Sequence, residues 1–350
     1  MNNRIFRSLI HPVAISLGRA FVVLTLCTSA FAETVTLAVP GPGTLSYLPV
    51  YLAKAIGADK AEGLDLKLKY FSGGPLAMRD MMGNNSDFLA IGLPAIAAGR
   101  VDNKPVIAIG QLSQTAMFVF LLRRKLRNKV HSISQLKGRR IGTSSTTSSQ
   151  RSMGYMMVQY LLQRAGLHST DVQFISTGQN RDAYIAAFNS ATVDAILGDE
   201  PFASEMEKQG LAVRLADLYS PGQSSELLGG PIIHAALATR EDIYANHPDT
   251  VNKVLHMFDR TLQWMATHTS REIVARLAGQ PGFEKADGKL LARILKRNSG
   301  MFTDRTDWNP QAVATTEEFF HRMSGNEKEA NLSFSEFVRD RPRNEPPGTN

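Results

Sequence analysis

Gly142-Thr143-Ser144-Ser145-Thr146-Thr147-Ser148-Ser149-Gln150-Arg151 lies between a short basic strand, Arg139-Arg140-Ile141, and a strongly helical run. The helix is read from Met153, Met156, Met157, Tyr160 and Leu161, which share one apolar face, and from Gly166, where a helix usually stops. The hydroxyl-rich segment is therefore a strand-to-helix turn. Such a turn points the free N–H groups of the helix's first turn, with their partial positive charge, beyond the carboxyl end of the strand. One Ser or Thr is enough to cap a helix. The unbroken run of hydroxyls makes Ser144, Ser145, Thr146, Thr147 and Ser148 candidates for holding a small polar or anionic ligand.

The same unit recurs on both sides of this turn. Upstream, Val35, Leu37 and Val39 alternate into a strand, and Pro40 to Ser46 breaks it. Ser46 is placed to cap the next helix, with Pro49 in its first turn. Leu64, Leu66 and Leu68 form a second strand, followed by Phe71-Ser72-Gly73-Gly74, and Phe88 to Gly92 a third, followed by Leu93-Pro94. Downstream come Val172 to Ser176 with the turn at Gly178, Val193 to Leu197 with Gly198-Asp199-Glu200-Pro201, and Val213 to Leu218. Repeated strand, Gly or Pro turn, and helix is the pattern of an α/β fold with mainly parallel sheets, which bind ligands beyond the carboxyl ends of their strands.

That rule nominates Thr44, Leu45, Ser46, Tyr47, Phe71, Ser72, Gly73, Gly92, Leu93 and Pro94 from the first set of turns, and Gly178, Asp199 and Glu200 from the second. Tyr47 and Phe71 are either an apolar wall of the site or core. Asp199 and Glu200 either pair with a cationic group of the ligand or favour the dipole of the helix opening at Pro201. Arg151 and Arg181 stand at helix openings, where a cation is unfavourable unless an anion is near. After Ile232 to Ala238, an apolar strand, the chain is expected to be helical: Thr250–His268, Arg271–Ala278, Gly288–Arg297 and Pro310–Met323.

Composition bounds the rest. The 350 residues are 43% hydrophobic, enough for a globular core. Arg4, Arg7 and Arg19, the apolar run Ala20 to Leu26 and the small-x-small site Ala30-Phe31-Ala32 read as a secretory signal peptide over residues 1–32, cleaved after Ala32 and leaving a periplasmic protein. Cys27 is the only cysteine, so the mature chain has no disulfide, thiolate nucleophile or Cys-ligated metal. Removing the three signal arginines leaves 36 basic against 32 acidic residues, dispersed along the chain, which argues against nucleic acid. The eight histidines have no metal-type spacing, and no Gly-x-Ser-x-Gly or phosphate loop appears, so neither metal, cofactor nor catalytic residue is expected. His234 reads as a hydrogen-bonded core residue.

Several stretches together resemble the periplasmic solute-binding proteins of the nitrate, sulfonate and taurine type, which include binders of thiamine-pyrimidine precursors. They are Leu48-Pro49-Val50-Tyr51-Leu52-Ala53 with Glu62-Gly63-Leu64, Gly73-Gly74 with Asp87 and Ile91-Gly92, Leu136 to Gly142, and Val193-Asp194-Ala195 with Glu200-Pro201. The resemblance covers residues 34 to 270. Two departures stand out. Ala191-Thr192 replace a frequent glycine, and Gly198-Asp199 stand where many members place a ligand-touching aromatic.

The resemblance implies a two-lobed periplasmic-binding-protein fold of type II, and a monomer that delivers a small-molecule ligand to an ABC transporter permease. On that reading residues 33–120 and 234–338 form lobe 1, residues 121–233 form lobe 2, the hinge lies near Phe120–Arg123 and Ile233–Ala236, and residues 339–350 are a disordered tail. An enzyme like the thiamine-pyrimidine synthases, and a sensor without transport, are the alternatives. The former carries a cysteine-rich motif that this mature chain lacks.

Overall fold

The computed structural model describes residues 32–143, 152–177 and 181–343, and the turn Ser144–Ser148, Arg151 and Gly178 lie outside them. Among the described residues, ten strands form two sheets of five. The first holds β1 (Glu33–Pro40), β2 (Leu64–Phe71), β3 (Phe88–Ile91), β4 (Val106–Gln111) and β10 (Ala236–Arg240) in the order β2-β1-β3-β10-β4. The second holds β5 (Val119–Arg123), β6 (Arg140–Thr143), β7 (Gln173–Ser176), β8 (Ala195–Gly198) and β9 (Ala212–Asp217) in the order β7-β6-β8-β5-β9. The two orders are the same pattern. In each sheet one strand entering from the other lobe, β10 or β5, runs antiparallel to its neighbours. The others follow the parallel scheme read from the turns.

Helices α1 (Leu48–Ala55), α2 (Ala58–Ala61), α3 (Gly74–Met82) and α4 (Leu93–Val101) connect the first sheet. Helices α5 (Met153–Arg164), α6 (Arg181–Asn189), α7 (Phe202–Lys208) and α8 (Pro221–Leu228) serve the second. After β10 come α9 (Glu241–Asn246), α10 (Pro248–Thr267), α11 (Ser270–Leu277), α12 (Gly288–Arg297), α13 (Pro310–Arg322) and α14 (Glu327–Asn331). Period-2 alternation explains how a parallel sheet is covered on both faces: Val35, Leu37 and Val39 enter one buried apolar cluster and Ala38 the other. Both clusters draw on both sheets, so apolar packing runs through the junction between the lobes.

The chain passes between the two sheets at residues 112–118, just before the first hinge position expected from sequence, where Phe120–Arg123 is already strand, and at residues 229–235, which overlap the second, Ile233–Ala236. The return strand begins at Ala236 and not at Ile232. The amides of the preceding residues are taken by side chains: Ile233 by Thr316 Oγ1 at 3.0 Å, His234 by Ser113 Oγ at 3.1 Å and Ala235 by the same hydroxyl at 2.8 Å. Residues 339–342, which composition assigns to a disordered tail, are held by hydrogen bonds. Arg339 N donates to Ala108 O at 2.9 Å, and Trp308 Nε1, Tyr244 OH and Asn252 Nδ2 donate to the carbonyls of Arg339, Asp340 and Pro342. Ala191 sits at φ +53°, the left-handed region, which accounts for a glycine being favoured there.

Candidate functional site

The turn after β1 meets the turn after β8. Thr44 is the last extended residue, and Leu45–Tyr47 is one 3-10 turn before α1, with Pro49 in that helix's first turn. Leu45 N donates to Glu200 O at 2.7 Å across the cleft. Ser46 does not cap α1. Its Oγ donates to Asp199 Oδ1 at 2.9 Å and lies 3.4 Å from Tyr219 OH and 3.5 Å from Met117 O in the first crossover. Thr44 Oγ1 is buried without a hydrogen bond of good geometry, although it lies close enough to the Tyr51 hydroxyl to influence it.

Asp199 is buried, and burial, reinforced by the Glu200 charge and opposed by the Ser46 hydrogen bond, pushes its carboxyl from 3.8 up to about 7. Its charge also helps burial push Tyr47, Tyr184 and Tyr219 well above the ordinary phenol value. Tyr219 OH accepts from Glu200 N at 3.1 Å. The cleft thus closes on a carboxyl, a serine and the Tyr219 phenol.

Glu200, one residue away, is differently employed. Its carboxylate accepts from Ser204 N at 3.0 Å and Ser204 Oγ at 2.8 Å in the first turn of α7, and from Arg214 at 2.9 Å and Arg297 at 3.2 Å. Of the two roles considered for it, the structure shows the helix-stabilising one, with the charge balanced by protein cations. Arg297 belongs to α12, so this pair ties the second lobe to the C-terminal helices.

The third strand-end turn also reaches across. A Cβ at Gly92 would lie 3.0 Å from Met153 Cβ and 3.2 Å from His234 O, so only glycine lets α4 and α5 approach this closely. Leu93 and Pro94 are buried in the first turn of α4. Tyr47 is buried with its ring 6.0 Å from that of His234, whose Nδ1 is 2.5 Å from Ala116 O and whose basicity burial lowers to about 4. His234 is a neutral, hydrogen-bonded core residue. Phe71 is half-buried against the core, with its carbonyl accepting from Gly41 N at 2.6 Å. Ser72 is exposed, Gly73 precedes α3, and no hydrogen bond of these three with the second lobe is seen among the described residues.

Tyr184, Tyr219, Arg214, Arg297 and Met153 are site residues that the turn rule missed. Tyr219 carried a usable signal, since Tyr219-Ser220-Pro221 is one more strand-to-helix turn after β9. Arg297 did not, being 97 residues from Glu200 in sequence. Among the described residues no group of His, Cys, Asp and Glu could hold a metal ion, and no helix is long and apolar enough to cross a membrane.

The model of the family described as NMT1/THI5 like matches residues 45–271, more than half of the chain. The chain is 28% identical over 291 residues to the putative binding protein YtlA of Bacillus subtilis (strain 168), covering 80% of each chain. It is 25% identical over 296 residues to a putative aliphatic sulfonates-binding protein of the same organism, covering 82% of each. Among solved structures, the alkanesulfonate-binding protein SsuA from Xanthomonas axonopodis pv. citri, bound to MOPS, superimposes with a TM-score of 0.67 at 14% identity, covering 88% of this chain and 98% of that one. With the two sheets and the closing turns already described, these likenesses settle the family: the chain belongs to the NMT1/THI5-like family, and so to the solute-binding proteins of the nitrate, sulfonate and taurine type that its sequence resembles.

Proposed function

We propose that this protein is exported, captures a small organic anion between its lobes and hands it to an ABC transporter permease. The observation that carries the proposal is the contact of Leu45 and Ser46 with Glu200 and Asp199, which joins strand-end turns of two separate sheets. Strand-end turns are where α/β sheets take ligands, and a cleft closed by contacts from both sides gives a ligand the differential affinity that closure requires. The names of the relatives that bind sulfonates support an anionic head. A carboxyl that keeps its proton in the closed cleft is compatible with such a head, because it donates to an oxyanion where a carboxylate would repel it. On sequence grounds Ser144, Ser145, Thr146, Thr147 and Ser148 supply further donors and Tyr47 part of an apolar wall, to which the buried Tyr184 and Tyr219 add.

The test is a thermal-shift screen of the mature chain with sulfonates, carboxylates, nitrate and pyrimidines. A ligand at a thousandfold excess over its dissociation constant raises native stability by about 4 kcal/mol. With that ligand, Ser145→Ala and Thr146→Val are expected to weaken binding several-fold without lowering the unliganded melting temperature. A panel in which only the pyrimidines stabilise the protein overturns the anionic reading.

A further inference from the structure

A second cavity lies away from the strand-end turns, on the face built by α10, α11, α12 and the loop 299–304. Its volume is about 1550 Å³, larger than the roughly 300–1,000 Å³ of ordinary small-molecule sites. Its floor is apolar: Leu262, Ile273, Leu295 and Met301 are buried, and Met265 and Phe302 are half-buried. Its rim is cationic. Arg271, Lys289, Arg293 and Lys296 all line it, are exposed, and have no ion-pair partner among the described residues. One carboxylate, Asp304, also lines it, with its charge acting on the adjacent Arg305.

A solvated charged face would explain the four cations alone. It does not explain the apolar floor beneath them. The two together are what an ionic head and an aliphatic chain would each complement.

We propose that this cavity binds an amphiphilic organic anion, its chain on the floor between Leu262 and Phe302 and its carboxylate or sulfonate head among Lys289, Arg293 and Lys296. The site adjoins the hinge. Gln114, in the first crossover, donates from N to Met301 O at 3.1 Å and from Nε2 to Gly300 O at 2.8 Å.

Calorimetric titration of the mature chain with decanoate, hexanoate and decanol tests this, with vesicles of phosphatidylglycerol or phosphatidylcholine as a separate arm. Decanoate is expected to bind at least tenfold more tightly than either hexanoate or decanol. The double variant Lys289→Glu/Arg293→Glu should weaken it at least tenfold, and Ala292→Trp, which fills the cavity, should abolish it. The double variant changes only exposed side chains and carries the test if Ala292→Trp does not fold. Binding to phosphatidylglycerol vesicles alone, lost in the double variant, identifies the amphiphile as a membrane lipid, and decanoate binding identifies it as a free one. Absence of binding to both, equal binding of decanol, or affinity unchanged in the variants overturns the proposal.

Discussion

Two kinds of contact cross between the lobes, and they differ in what they demand of the protein. At the centre, Ser46 and Asp199 are buried, with a carboxyl raised to about 7 and the Tyr219 hydroxyl beside Ser46. At the edge, Lys208 and Asp287 pair at 2.6 Å with side chains 62% and 34% exposed. Both are short polar contacts. The central one changes its protonation near neutral pH when water enters, whereas the Lys208 contact holds the Asp287 carboxyl down at about 2, so only the central contact couples opening of the cleft to pH near neutrality. The edge pair gains little, since exposed ion pairs are screened and cost side-chain entropy.

The largest expected effect concerns the buried acid. Asp199 ordinarily titrates at 3.8 and does so near 7 when folded. Between those values the folded chain holds a proton that the unfolded chain has lost, so stability falls as pH rises from about 4 to about 7 and is level above that. Asp199→Asn removes this slope. The wild type should lose up to about 4 kcal/mol relative to the variant across that range, read by denaturant unfolding at each pH. His234 tilts the other way, because a base lowered from 6.5 to about 4 loses stability as pH falls through that window. It is present in both proteins and cancels in the difference. A difference that does not vary with pH contradicts a buried, protonated Asp199.

Next in size is Gly92→Val, which puts a branched side chain where even a single Cβ would lie only 3.0 Å from Met153 Cβ. Overpacking costs about 1–3 kcal/mol, so affinity for a screened ligand should drop between roughly fivefold and a hundredfold. Unliganded stability should change less, since the open form relieves the clash. Equal losses in both would show that α4 and α5 touch in the open form too. Ser46→Ala, which removes one hydroxyl from Asp199, should cost about 1 kcal/mol, a five- to tenfold weakening. Lys208→Ala should be smallest, with less than about a threefold change in affinity. A larger effect there than at Ser46 would reverse the ranking of centre and edge.

Much of the fold was legible because it is written in local patterns. α12 begins at Gly288 and ends at Arg297 as its apolar spacing requires, and the strands of both sheets fall within a few residues of their alternation. α8 was not legible: Pro221-Gly222-Gln223-Ser224-Ser225 has no apolar period, and its helix is fixed by packing against the second lobe. The return strand starts late because Ser113, 121 residues before His234, claims the amides of His234 and Ala235 that precede it, which no local pattern records. The site shows the same division. The strand-end rule nominated Leu45, Ser46, Gly92, Asp199 and Glu200, which the structure places at the meeting of the two sheets, yet it gave Ser46 a capping role that a partner 153 residues away takes over. It could not separate Asp199 from Glu200, because that depends on Arg214 and Arg297 reaching one carboxylate and not the other.

The central claim is that a solute is held between lobes that close on it. Cys27 is the only cysteine of the chain and residues 33–350 contain none, so spin labels on cysteines introduced at Lys208 and Asp287 report the width of the cleft without interference. At saturating ligand the distance distribution should collapse toward a short, narrow population, with a longer and broader one in its absence. Distributions that are the same with and without a ligand that raises the melting temperature would contradict capture by closure, and would place that ligand elsewhere on the protein.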